Sequence, residues 1–219
     1  MSTKVNKFQA VWVFALLAWP YFLNDFFLIH TTRTQVSIAN IWLFDVLVYF
    51  LIPSITLFLL IRANAANHIK IMLKKSPLFG GVIVAIIFAF ALDYVFTQRI
   101  GLWILERNCF RLCDSYAFPN DSRLAYYSVV IYAALSAGFL EEVIFRGQAI
   151  HLLRQFTSNK IVIVVIASLL FALIHWCLGS SKLITTFIIG IFPAIWVLYT
   201  KRLWEVIIFH SIFNLLAFT

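Results

Sequence analysis

Two adjacent acids and a base stand inside an apolar run at positions 137–147, Ala-Gly-Phe-Leu-Glu-Glu-Val-Ile-Phe-Arg-Gly. A charge at the centre of a bilayer costs at least a few kcal/mol on insertion scales, so one that is kept there is expected to have a partner or a chemical task. In a helix Glu142 and Arg146 are four residues apart on one face, with the acid N-terminal to the base, the better order for an ion pair. That pair by itself reads equally well as an ionic staple between helices. Glu141 is turned about 100° from Glu142 and has no base at a helical spacing downstream. An unpaired carboxylate in an apolar site is suited to take a proton from water near neutral pH, the work of a general base.

Further along, Phe171-Ala-Leu-Ile-His175 and His210-Ser-Ile-Phe-Asn214 interrupt two more apolar runs. Taken singly, a histidine in such a run is more often a hydrogen-bonding group between helices than a catalytic one. One Glu, two His and one Asn together supply the parts of a hydrolytic site. The carboxylate takes the proton of water, a histidine orients that water, and a histidine with a side-chain amide donates to the oxyanion formed at a peptide carbonyl. Imidazole and carboxylate also suit zinc, and both readings stay open at this level.

The elements that must position these groups are membrane helices. The chain of 219 residues is 63% hydrophobic and 12% charged, with a mean hydropathy of +0.96. Spans of about 20 apolar residues cross the hydrocarbon, and the need to satisfy the backbone in lipid leaves helices for segments of this kind. The expected fold is all-α, a polytopic transmembrane bundle of seven spans near 8–29, 41–61, 80–96, 124–154, 161–178, 183–199 and 203–218. It forms a single integral membrane domain over 1–219, with N-terminal spans and a polar loop in 1–123 and the chemistry-bearing helices in 124–219. The first span starts close to Lys4 and Lys7 but is long and lacks a small-residue cleavage site, so it reads as retained; Pro20 is a place for a kink, and Asn24 and Asp25 are expected at its far end. The fourth exceeds one bilayer thickness and is expected to tilt or protrude.

Basic residues in the connections set the orientation. Lys4, Lys7, Arg62, Lys70, Lys74, Lys75, Arg154, Lys160, Lys201 and Arg202 collect on one side; Arg33, Arg99, Arg107, Arg111, Arg123 and Lys182 collect on the other. The bias puts the N-terminus in the cytoplasm, and the net charge of +8 is read as this topology signal together with attraction to anionic lipid; no nucleic-acid partner is implied. The longest connection, 97–123, falls outside and is the candidate lid. It contains Cys109 and Cys113, which there are either a disulfide or two free thiols, whereas Cys177 reads as a small apolar residue of the fifth span. No Cys/His cluster has structural-zinc spacing.

Depth counted from the cytoplasmic ends links the three motifs. Glu141 lies thirteen residues before Arg154, His175 fifteen after Lys160 and Asn214 twelve after Arg202, or roughly 20, 22 and 18 Å at about 1.5 Å per residue. His210 is about a turn shallower. Polar groups serving only as glue between helices would have no reason to share a layer.

At these residues the chain resembles the family of CAAX prenyl endopeptidase type II and bacteriocin-processing intramembrane proteases, also called CPBP or Abi. The family pattern is Glu-Glu-x-x-x-Arg, then Phe-x-x-x-His, then His-x-x-x-Asn or Asp on successive membrane helices, and it is met by Glu141, Glu142 and Arg146, by Phe171 and His175, and by His210 and Asn214. The resemblance covers about 125–219 and none of the first three spans. It implies a glutamate-dependent intramembrane peptide hydrolase. By the same resemblance Glu141 is the general base, His175 positions the water, His210 and Asn214 form the oxyanion hole, and Glu142 and Arg146 brace the site. Members have been described as metalloproteases; the glutamic type is favoured here because Glu141 with His175 needs no ion to activate water. No cofactor and no metal ligand is therefore assigned, with a divalent metal such as zinc left open.

The implied partners are the lipid bilayer and a membrane-embedded or membrane-anchored peptide or protein substrate, and the implied location is multi-pass in a bacterial inner (cell) membrane. Two other classes fit parts of the sequence. An ion- or proton-coupled transporter could use Asp45, Asp93 and Glu141 as a relay, but it predicts paired repeats that the sequence lacks; a non-enzymatic immunity protein of the same family would be expected to have lost at least one motif residue.

Overall fold

The protein, a computed structural model, is described over residues 7–34, 36–95, 112–113, 117–119 and 122–219 (main chain only at 32). Over these residues it is helical, with no strand. Helix α1 is Lys7–Thr34 and contains Pro20 without ending there. Helix α2, Ile38–Phe44, runs through a π-helical stretch at Asp45–Leu51 into α3, Ile52–Arg62. Then follow α4, Asn67–Lys74, and α5, Phe79–Asp93. Helix α6, Arg123–Glu141, continues through a second π-helical stretch, Glu142–Gln148, into α7, Ala149–Leu153. Helix α8 is Lys160–Leu173, a 3-10 turn covers Trp176–Leu178, α9 is Ser180–Thr200 and α10 is Trp204–Phe218.

Local chemistry sets several of these ends. The hydroxyl of Ser122 accepts from Ala125 N at 3.1 Å, and the carboxamide of Asn159 accepts from Ile161 N and Val162 N at 3.0 and 3.3 Å, each replacing a bond that the first helical turn cannot make internally. Gly179, at φ 100°, turns the chain from the 3-10 segment into α9 with a backbone that side-chain-bearing residues avoid.

Four helical stretches are long and apolar enough to cross a membrane: Lys7–Thr31, Ile38–Arg62, Arg123–Leu153 and Ser180–Thr200. Helices α4 and α5 pass the same test together but are bent by 97° at their junction, as a broken span or a re-entrant loop. Helices α8 and α10, with 14 and 15 residues, reach only about 21 and 22 Å, short of a hydrocarbon core about 30 Å thick. Each of the seven hydropathy segments therefore has a helical counterpart, but among the described residues only four, or five with the bent pair, have the length of a span. The 31-residue stretch Arg123–Leu153 bears out the expected over-long fourth helix.

The surface is the inverse of a water-soluble protein's. Phe79, Leu124 and Ile161 are exposed to 75–82%, while Asp25, Glu142, Arg146, Gln148 and Glu205 are buried. Lipid is the solvent that this arrangement suits. The largest core cluster joins α1, the π stretch after α6, α8 and α9 through Leu17, Tyr21, Phe145, Ile163, Phe171 and Val197. Helix α10 lies between α5 and α6, and α8 pairs with α9. The acid of the first span lies in the second half of α1, toward the end opposite Lys7. Asp25 is fully buried there, its Oδ2 accepting from Cys177 N at 2.6 Å.

Candidate active site

The site begins with a close approach. A Cβ on Gly138 would lie 2.2 Å from Ser211 Oγ and 2.9 Å from Ser211 N, so only glycine lets α6 press this closely against α10. One turn later the chain enters the π-helical stretch at Glu142. Such stretches widen the turn and cluster at functional sites. Together the close contact and the wider turn bring both glutamates to one histidine. Glu142 Oε1 is 2.8 Å from His210 Nδ1, and Glu141 Oε2 is 3.8 Å from His210 Nε2. The sequence, read as a regular helix, puts the two acids on separate faces and shows no partner for Glu141; the structure supplies that partner from α10.

Arg146 closes the arrangement from the other side. Its Nη1 is 3.2 Å from Glu142 Oε1, as the four-residue spacing predicts. Its Nη2 donates to Gly190 O at 3.5 Å, and its guanidinium lies 4.0 Å from the centroid of the Phe171 ring, a cation–π contact. A Cβ at Gly190 would stand 3.1 Å from that same Nη2. Phe171 also meets the rings of His210 and His175 edge-on, with centroids 5.6 and 5.5 Å apart. It is the common wall on which the arginine and both histidines rest.

His175 is not inside a membrane helix. Helix α8 ends at Leu173, five residues before the expected end at 178, and His175 caps the short 3-10 turn that follows. Its Nδ1 is 3.3 Å from Phe171 O. The turn is fastened by a disulfide between Cys113 and Cys177, which are 64 residues apart, by Leu112 N donating to Cys177 O at 2.8 Å, and by Asp25. This corrects the reading of Cys177 as an apolar residue of the fifth span: the helix ends early, so the thiol reaches the loop. Cys109 and most of the proposed lid lie outside the described residues, at 96–111, 114–116 and 120–121.

Glu141, His175, His210 and Asn214 all line one cavity of about 410 Å³. Tyr21 and Asn24 from α1, Asp45 and Trp42 from the second apolar segment, and Phe118 complete much of its wall. Tyr132 Oη donates to Asp45 Oδ1 at 2.8 Å, and Trp42 Nε1 donates to Ala117 O at 2.9 Å, which holds 117–119 over the cavity. Lys182, in the first turn of α9, also lines it. From the sequence that lysine is a topology charge in a connection; its place in the cavity depends on where α9 begins, which no local pattern reveals. Among the described residues, no group of three or more His, Cys, Asp or Glu side chains is placed to hold a metal ion.

Compared with models of known protein families, residues 123–216 match that of the type II CAAX prenyl endopeptidases, Rce1-like. The match runs through α6 to α10, includes all seven motif residues and leaves α1 to α5 outside. No curated protein and no solved structure matches the chain.

Proposed function

Since residues 123–216 match the model of the Rce1-like type II CAAX prenyl endopeptidases, we propose that this multi-pass membrane protein is an intramembrane endopeptidase of the glutamic type. The observation that carries the reading is the convergence of Glu141, His175, His210 and Asn214 on one cavity walled by membrane helices. Water held between Glu141 and His175 attacks the carbonyl carbon of a peptide bond, Glu141 takes its proton, and the oxyanion is met by donors from His210 and Asn214. The proton then passes from Glu141 to the departing amine.

The geometry constrains one of these roles. A carboxylate only accepts hydrogen bonds, so the contact of His210 Nδ1 with Glu142 Oε1 is a donated N–H. With Nδ1 protonated, Nε2 can offer a proton to the oxyanion only when the ring is an imidazolium. Asn214 is the donor that needs no such condition.

The substrate is a membrane-anchored or membrane-embedded peptide or protein. The Lys and Arg bias and the Cys113–Cys177 disulfide, which suits an oxidising compartment, both support a cytoplasmic N-terminus with the disulfide end on the opposite side; the cell membrane of a bacterium is the proposed location. Full crossing by α8 and α10 would complete seven spans. The test is a comparison of membrane peptides from cells expressing the wild type or Glu141→Gln. New termini specific to the wild type are expected; identical peptide sets from the two would sink the reading.

A further inference from the structure

A second cavity, of about 380 Å³, lies between α4, the π stretch with α7, and the last turn of α9. Its lining brings together Lys75, Arg154 and Lys201, adds His68 and His151, and contains no carboxylate. The two imidazoles stack face to face, 3.8 Å between centroids and 11° from parallel, and His68 Nε2 is buried without a hydrogen-bond partner. Arg146 forms part of the wall. Only 1% of it is exposed, and its Nε has no hydrogen-bond partner. Glu142 is ion-paired with that arginine, and among the described residues the ion pairs lie at Glu141, Glu142, Arg146 and His210 and do not reach the three outer cations.

The other half of the lining is apolar, with Ile71, Met72, Ile150 and Val197, and Ile71 is 54% exposed. The cavity sits at the end of the bundle where α1 begins: Gln148 Nε2 donates to Ala10 O at 3.1 Å, and Lys7 Nζ lies 5.2 Å from the centroid of the Phe156 ring. A soluble anion would need only the cations. Cations beside apolar walls, at the basic end of a membrane bundle, fit an amphiphile whose headgroup is negatively charged.

We infer that this cavity binds an anionic phospholipid, with its phosphodiester held by Lys75, Arg154 and Lys201 and the start of its acyl chains laid against Ile71 and Met72. The site requires only that the chain be in a bilayer and is independent of any hydrolysis. The full-length protein in nanodiscs of phosphatidylcholine should gain about 2–4 °C in melting temperature when phosphatidylglycerol replaces part of the lipid. The gain should vanish in a variant carrying Lys75→Gln, Arg154→Gln and Lys201→Gln. It should persist in a variant with the same charge change away from the cavity, Lys70→Gln, Lys74→Gln and Lys160→Gln. Inorganic phosphate added to the phosphatidylcholine sample should do nothing. An equal gain in the first triple variant, its loss in the second, or its reproduction by inorganic phosphate each overturns the assignment. Should the first triple variant not fold, Arg154→Gln and Lys201→Gln singly, both at exposed side chains, are each expected to lower phosphatidylglycerol retention at least twofold in native mass spectrometry, and unchanged retention in both overturns it.

Discussion

The two adjacent glutamates have different surroundings, and substitution should separate them. Glu142 is enclosed by Arg146 and His210, whereas Glu141 faces the cavity with one longer contact to His210. Glu141→Gln keeps the shape and removes the proton acceptor, so it should fold and insert normally while hydrolysis falls by at least about 100-fold; retention of more than a few per cent of the rate would remove Glu141 as the base. Arg146→Ala acts on stability. It leaves Glu142 buried without its cation and takes a guanidinium off the Phe171 ring, so a loss of about 3–5 kcal/mol is expected, seen as a lower yield of folded protein and a lower melting temperature. Normal accumulation and wild-type melting with lost activity would instead place Arg146 in the chemistry.

At the scale of elements, the 3-10 turn after α8 is the part most dependent on a remote covalent bond. His175 stands two residues before Cys177 and is held by Phe171 O and by what fastens that turn. Replacing both Cys113 and Cys177 with serine frees a 64-residue separation, for which about 2–4 kcal/mol is the usual loss. Because the bond fixes the neighbour of a site residue, activity at temperatures well below melting should fall as well. A double variant with wild-type rate and melting temperature would show that Asp25 and the backbone bond from Leu112 suffice. Gly138 sets the other element-scale constraint, since the registry of α6 on α10 brings two carboxylates to one imidazole.

For the whole molecule, the cavity is lined by Asn24, Phe118, Leu178, Lys182 and Phe218, which belong to the end of the bundle opposite Lys7 and Arg154. The proposed cytoplasmic N-terminus therefore predicts that substrate enters from the outer side or the outer edge of the membrane. A cysteine at Ala217, with Cys109 replaced by serine and the Cys113–Cys177 disulfide left intact, should react with an impermeant thiol reagent added outside; reaction only from the cytoplasmic side refutes outward access. The glutamic mechanism also makes a prediction for the purified protein. After chelation, with metal content checked by elemental analysis, the rate should be kept; loss of rate restored stoichiometrically by zinc would make His175, His210 and a glutamate ligands.

The seven motif residues, the helical class and the long fourth helix were legible because they depend on what neighbours in sequence do: hydrophobic runs of fixed length, a four-residue ion-pair spacing, and the absence of a proline between Leu124 and Arg154. Contacts between helices were not legible in the same way. That Glu141 meets His210, that Lys182 lines the same cavity, that Cys177 pairs with Cys113 and that His175 stands on a turn beyond its helix all depend on the rotation of packed helices and the residue at which each one stops. Rotation was set by the close approach at Gly138 and by the wider turn from Glu142 to Gln148, and the early stop of α8 by the fastening of its following turn to Asp25 and Cys113. Each is a long-range contact, and no periodicity in the chain encodes it.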